Sequence, residues 1–334
     1  MAKIRKLSIF DVFNVRKLVS FIWSGDVIHY KRMFFISAPM TFVQSFLPLF
    51  LRKVPETYVA ETEKELRGVI TIKPQSSNCS KWEITRLFLQ KNSNDIGKQL
   101  VDYIVSHLGA IGVTTFFAAV NDTETELLDL FVKGSGFRMC SCTAMHKMTN
   151  INFFDVSFSN LHFRHIKPSD SEKLALFFNE NIFPTFKNSL KKDKSEFKEN
   201  LFKGLSPTIF KYILEDKDNI VSYFEIYSCE SSTYVIDIIV SQGYTGMYSQ
   251  ILSFAVSEVM KRNKNVSIYI KNRKYLMCGY EIEEFFKQNH FEMLENKVVL
   301  VKDFYGRIKE EVQSPAIAFS AIKSNNAYFL ENKK

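Results

Sequence analysis

Apolar and polar positions follow two periods along this chain, and they recur in the same order twice. Residues 82–89 (WEITRLFL) and 234–240 (YVIDIIV) read as strands. A polar loop follows each, at 90–95 and 241–246. Next come apolar residues three and four apart: Ile96, Leu100, Tyr103, Ile104 and Leu108, then Met247, Ile251, Phe254, Ala255 and Val259. That spacing predicts an amphipathic helix in each place. A β-branched strand then runs to an asparagine, at 113–121 and 266–272. Helices are expected at 125–133 and 281–289, and closing strands begin at Phe137 and Phe291.

The upstream segments match as well. Residues 58–73 predict a hairpin turning at 63–65, and residues 211–227 predict one turning at 216–219. A strand at 4–9 and a helix at 12–23 precede the first hairpin. A strand at 162–166 and a helix opened by Ser169 and Asp170 precede the second. The chain therefore reads as one pattern written twice, displaced by roughly 150 residues, a period long enough for a whole domain. The expected division is an N-terminal domain at 1–150, a linker at 151–158, a C-terminal domain at 159–306 and a weakly patterned tail at 307–334.

Composition narrows the class. The 334 residues are 46% hydrophobic and 24% charged, which excludes disorder over most of the length. Lys+Arg 44 against Asp+Glu 36 gives a net charge of +8. The cations are spread along the chain, so a nucleic-acid partner is not indicated; the basic strand end at Tyr269, Lys271, Arg273 and Lys274 reads as a solvated face. The five cysteines show no C-x-x-C pair and the six histidines no H-E-x-x-H grouping, so no metal site is expected. Unpaired thiols and the lack of a leader pattern in MAKIRKLSIF predict a cytoplasmic protein. Residues 33–51 carry no charge but include Pro39 and Pro48, and they predict an amphipathic helix rather than a membrane span. That helix covers a sheet, walls an acceptor cleft, or dips into a bilayer surface as a peripheral contact.

The strand ending RLFLQ (86–90), the loop before IGKQL (96–100), Asn121 after the next strand and GSGF (134–137) at the last strand resemble the GNAT acetyltransferase superfamily. The resemblance covers nearly the whole chain as two copies. More specifically, the chain is similar to the two-domain GNAT-like proteins of bacteria. The implied fold is α/β (α+β): two tandem GNAT-like domains, each a mixed, mostly antiparallel sheet flanked by helices. The implied activity is acyl-CoA-dependent N-acyl transfer, from acetyl-CoA or another acyl-CoA to an amine acceptor. Family members hold the cofactor on a strand, a glycine-rich loop and the start of the next helix, where free N–H groups and the helix dipole meet the pyrophosphate. Carried onto this chain, those positions are Phe88, Leu89, Asn94, Ile96, Gly97, Lys98 and Asn121.

The departures are specific. The family loop reads roughly Q/R-x-x-G-x-G/A, and the first copy keeps one glycine of two, with Asp95 where phosphate comes closest. The second copy has Tyr248 at that helix start, too bulky for close approach. The family's tyrosine acid is replaced by Phe131 or Val132 in the first copy and by Phe286 in the second. Glu83 is the candidate base, or a solvent-facing strand residue, and Asp237 is its counterpart. Asn121 holds a ligand amide or caps the next helix; Asn272 is expected only to cap. Cys140 and Cys142 read as core thiols. The N-terminal copy is thus the expected enzyme and the C-terminal copy structural. The alternative is a catalytically retired GNAT-like protein that contacts a protein partner or membrane through 33–51.

Overall fold

Twelve strands form one continuous sheet among the described residues, with both copies contributing. The first copy supplies β1 (Lys3–Lys6), β2 (Glu56–Thr62), β3 (Glu65–Pro74), β4 (Lys81–Leu89), β5 (Thr115–Asn121) and β6 (Arg138–Lys147). The second supplies β7 (Phe163–His165), β8 (Thr208–Asp216), β9 (Asn219–Glu230), β10 (Thr233–Val240), β11 (Ser267–Arg273) and β12 (Glu292–Asp303). The computed structural model describes residues 2–18 except 12 and 16, 55–149 except 64 and 76–78, 160–198, and 208–304 except 231. The apolar segment 33–51, most of the expected helix at 12–23, the linker 151–158 and the tail 307–334 lie outside the described residues.

The strand order is β1-β2-β3-β4-β5-β12-β6-β11-β10-β9-β8-β7. It reads as a palindrome with one exchange at its centre. The last strand of the first copy, β6, pairs with β11 of the second, and the last strand of the second, β12, pairs with β5 of the first. β6 and β12 also pair with each other, antiparallel, from Arg138/Val301 to Lys147/Glu292. Each half thus satisfies its backbone through a strand that the other half donates. The described residues up to Asp303 accordingly form one compact unit.

Local chemistry explains the elements. The β2–β3 turn places Glu63 at φ 52°, and the β8–β9 turn places Lys217 and Asp218 at φ 48° and 66°. Two successive left-handed residues match the twist of a tight hairpin. Helix α1 (Asn94–Gly109) lays Leu100, Ile104 and Leu108 against Trp82, Ile84 and Phe116 of β4 and β5. Helices α2 (Thr125–Asp129), α3 (Ser171–Glu180) and α4 (Pro184–Leu190) are shorter. Helix α5 (Tyr248–Met260) packs Ile251, Leu252 and Val259 into the second core with Ile236, Ile238 and Ile270. Helix α6 (Gly279–Gln288) closes that core with Ile282 and Phe286. The helix expected at 125–133 divides into α2 and a wider π-turn over Leu130–Gly134.

A duplicated clamp fastens the first strand of each copy. Arg5 binds both oxygens of Asp11, at 2.6 and 2.8 Å, and also Glu61. Arg164 binds both oxygens of Asp170, at 2.8 and 3.1 Å, and also Glu215. Each aspartate in addition accepts a 2.7 Å bond from a backbone N–H three residues before it, Ser8 or Lys167. The guanidinium is the first cause that holds the Asp170 carboxyl below its ordinary range.

Candidate functional site

The site begins where β4 leaves β5. The two are parallel neighbours only from Lys81/Thr115 to Ile84/Ala118, while β4 runs on to Leu89 paired with β3 alone. A β-bulge marks the parting: the β3–β4 register shifts between Thr71/Arg86 and Ile72/Ile84, leaving Thr85 without a ladder partner. A bulge bends its strand and increases the local twist. The result is a wedge in which residues 85–89 of β4 continue beyond the last pairing with β5.

Helix α1 starts at the mouth of this wedge. No side chain caps it, and its first i→i−4 bond runs from Gly97 N–H to Ser93 O at 3.0 Å. The N–H groups of Asn94, Asp95 and Ile96 therefore have no acceptor within the helix. Gly97 answers a different need. A Cβ there would lie 2.5 Å from Leu89 Cδ1 and 2.6 Å from Leu130 Cδ1, so only glycine lets the helix lie this close to β4. Ile96 is core, Phe88 packs on Val59 and Val69, and Asn94 donates to Glu126 Oε2 at 3.3 Å. Lys98 pairs with Asp102 one turn on. Asn121 turns the chain after β5, its Oδ1 accepting from Thr123 N–H at 3.4 Å and its backbone oxygen from Glu124 N–H at 3.0 Å.

One cavity of about 470 Å³ opens on the opposite face of the sheet from α1, and it runs across the exchanged strands. The size suits a small molecule. Glu83 lines it beside Lys81 and Thr85 on β4, half-buried, and accepts a hydrogen bond from Gln75. No cation forms an ion pair with Glu83 among the described residues. The far wall belongs to the second copy: Lys271 and Arg273 on β11, Tyr227 on β9, Tyr275, and the strap at Leu190, Lys191, Lys192 and Glu196.

Three expectations are corrected here. Lys271 and Arg273 do not form a solvated face; they line the cavity. Asp237 is no surface carboxylate: it is 3% exposed and paired to Arg273 at 2.6 Å and Lys271 at 3.8 Å. Parallel register puts Asp237 directly beside Lys271, so the pair is forced by β10–β11 pairing. Asn272 does not cap either. Its amide donates to Gly279 O at 3.1 Å and Glu283 Oε2 at 3.0 Å, tying β11 to the start of α6.

The electrostatics of the far wall are strained towards positive. Burial first, and then Arg273, push both Lys192 and Lys271 below the ordinary lysine value. Glu225, next to them, stays ionised with a pKa of about 2: burial opposes this, but Lys211 at 3.1 Å and the hydroxyls of Tyr223 and Tyr227 outweigh it. Burial pushes Tyr275 up to about 12, so it keeps its proton at neutral pH. Burial likewise raises the Cys140 thiol. Lys192, Glu196, Tyr227 and Tyr275 are not legible as site residues from sequence. The usable signal is the alternation of Lys271 and Arg273 opposite Asp237.

The second copy has a wedge of its own. β10 and β11 part after Asp237/Lys271, and β10 continues to Val240 along β9. Its register shift sits at the other end, at Thr233/Tyr234. Tyr248 opens α5 there, 2% exposed, its ring edge-on to Phe285 and Phe286 at 5.2 and 5.9 Å. Among the described residues, no helix is long and apolar enough to cross a membrane, and no three His, Cys, Asp or Glu side chains converge as a metal site.

No family model matches the sequence, and no curated relative does either. Solved structures do match the fold. A tandem GNAT protein from the clavulanic acid biosynthesis pathway superposes with a TM-score of 0.56 at 11% identity, over 91% of this chain and 98% of its own. A GCN5-related N-acetyltransferase from Sphaerobacter thermophilus gives 0.55 at 12% identity, over 90% and 95%. A candidate acetyltransferase from Pyrococcus horikoshii gives 0.56 at 12% identity, over 93% and 92%. The chain thus has the fold of the tandem GNAT protein it matches, over about nine-tenths of its length.

Proposed function

We propose that this protein is an acyl-CoA-dependent N-acyltransferase, with acetyl-CoA as donor and its working site in the N-terminal copy. The observation that carries this reading is the open wedge: a bulged β4 that runs on beyond its pairing with β5, beside an uncapped helix start and next to a cavity lined by Glu83, which has no ion pair among the described residues. The edge at 85–89 suits the amides of a pantetheine arm, as an added strand would. The N–H groups of residues 94–96 suit a pyrophosphate. Lys98 adds positive charge at that end, against the nearby Asp95.

Acyl-CoA supplies the thioester; this chain supplies position and a base. Glu83 accepts a proton from the acceptor's ammonium, and the freed amine nitrogen forms a bond to the thioester carbonyl carbon. The C–S bond then breaks, its electron pair leaves with the thiolate, and the proton lost from the new amide nitrogen passes to that sulfur through water. A thiol is acidic enough, near 8.5 for a cysteine side chain, to leave with little help, so the loss of the family's tyrosine is tolerable. Holding both reactants in one cleft supplies much of the rate. On this reading the division is 1–150, 151–158 and 159–306, with the second copy structural and the wedge behind Tyr248 closed to CoA. The four described free cysteines support a reducing, cytoplasmic setting.

A melt with and without acetyl-CoA tests the reading. At 100 times Kd a ligand adds about 2.7 kcal/mol, a rise of several degrees. The rise should shrink in Lys98→Glu, an exposed change that leaves the core intact. No rise with acetyl-CoA, coenzyme A or longer acyl-CoAs would overturn it.

A further inference from the structure

The cavity is polarised. At one side Glu83 is a carboxylate without a cation among the described residues. At the other, Lys271 and Arg273 pair with the buried Asp237, and Lys192 stands on the same wall, its charged form favoured by Glu196, Glu225 and Asp237. Other charges in and beside the cavity are matched. Lys81 is bound to the Lys191 carbonyl and lies 3.9 Å from Glu196. Lys297 pairs with Glu295 at 2.8 Å, and Lys211 with Glu225. Lys192 faces rings rather than a carboxylate, its Nζ 4.7 Å from the centre of Phe178 and 5.4 Å from that of Phe197.

Lys192, Lys271 and Arg273, with Lys81 and Lys211 beside them, outnumber Asp237, Glu196 and Glu225 on this wall, and such an excess of half-buried cations costs free energy unless another anion joins them. Arg273 spends one bond on Asp237 Oδ2, and a guanidinium carries five donors. Asp237 keeps one oxygen, Oδ1, buried without a partner, so it holds Arg273 in place without saturating the cluster. The two sides also feel each other: Glu83 is among the carboxylates that favour the charged form of Lys271. These cations stand on the second copy's wall, away from the α1 start where CoA phosphates are expected.

We infer that the acceptor is a small zwitterion, an amine that also carries a carboxylate or phosphate, with its anionic group on Lys192, Lys271 and Arg273 and its ammonium towards Glu83. The inference rests on the acyl-transfer reading and adds the substrate class. It also makes the second copy more than a support, since its wall recognises the acceptor of a reaction whose donor the first copy holds.

The test uses the full chain saturated with acetyl-CoA and matched amine probes: 4-aminobutyrate against 4-aminobutanol, and 2-aminoethyl phosphate against ethanolamine. Calorimetric titration should show each anionic probe binding about tenfold or more tighter than its neutral partner, as charge-assisted bonds imply. The carboxylate and phosphate arms tell which anion fits. Lys271→Met and Lys192→Met should each remove most of that preference and leave the acetyl-CoA melting rise at its wild-type size. Arg273 is spared because its loss would strand Asp237 and endanger folding. Equal binding of charged and neutral probes, or no binding of either anionic probe at tens of millimolar, overturns the inference. So does a Lys271→Met protein whose acetyl-CoA rise has gone, since the cations would then serve the donor. A wild-type protein that ignores acetyl-CoA defeats the acyl-transfer reading instead, and is recognised as such before any amine is added.

Discussion

The two copies share their framework and differ where a ligand would enter. Both fasten their first strand with an arginine that grips an aspartate six residues on and a glutamate on the next hairpin: Arg5 with Asp11 and Glu61, Arg164 with Asp170 and Glu215. Both open a wedge after a short parallel pairing. At the helix start beside that wedge the first copy has Gly97, pressed under Leu89 and Leu130, while the second has Tyr248, wedged between phenylalanines. The carboxylates at corresponding places on β4 and β10 differ likewise. Glu83 is bound by an amide, whereas Asp237 is buried and ion-paired. Packing and anchoring groups persist in both copies because each sheet half needs them to fold. The ligand-facing groups are free to diverge, and here they have divided into a donor wedge and a cationic wall.

The largest effect that can break this picture comes from cutting the copies apart. Because β12 completes the first half and β6 the second, a chain ending at Asn150 leaves β5 without its β12 partner and β6 without either neighbour. Such a fragment should lose the whole stability of a domain, about 5–15 kcal/mol, and aggregate. A soluble fragment with a cooperative melt would show that the exchange is dispensable. Tyr248→Ala comes next. Emptying an aromatic site in the core should cost about 3–5 kcal/mol in a denaturant titration. The number of acetyl-CoA sites should stay at one; a second site appearing would mean that Tyr248 alone closes the second wedge.

The clamps should prove equivalent. Arg5→Ala and Arg164→Ala each strand a buried aspartate and should each cost about 2 kcal/mol, added independently in the double variant. A large inequality would break the symmetry argued from their geometry. Smaller still, Gly97→Ala must push two leucine tips aside and should cost about 1–3 kcal/mol. Gly246→Ala meets nothing within 4 Å and should cost almost nothing. The pair measures how tightly each helix start is held.

The smallest effect concerns pH at the exchanged strands. β12 carries the aliphatic Val298 and Leu300 into the first half, but β6 carries His146 into the second, 2% exposed and packed on Phe286. Burial holds His146 below the ordinary histidine value; Glu283 at 3.7 Å opposes that and Lys274 reinforces it. The unfolded chain therefore binds the proton first, and stability should fall as pH drops below the unfolded value of about 6.5. Urea midpoints at falling pH should show this slope in the wild type and a flatter one in His146→Gln.

Much of this is legible from local pattern. The strand–loop–helix–strand runs, the hairpin turns and the doubling follow from periods of two and 3.6 and from turn residues, which depend on near neighbours. The Arg-x₅-Asp spacing at Arg5 and Arg164 is also present, as a sharper mark of duplication than the helix pattern. Glu83 and the donor loop are legible through resemblance to a family. The cationic wall is not, because alternation along β11 separates two faces without saying which one meets water.

The sequence by itself determined the elements, their order and their repetition, since each is decided by the residues within a few turns of it. Tertiary structure alone decided the partners of β6 and β12. Their local patterns are alike, so the exchange is visible only in the sheet that both halves build together. That choice placed Lys271, Arg273 and Asp237 opposite Glu83 and turned two separate sheet faces into one polarised cavity.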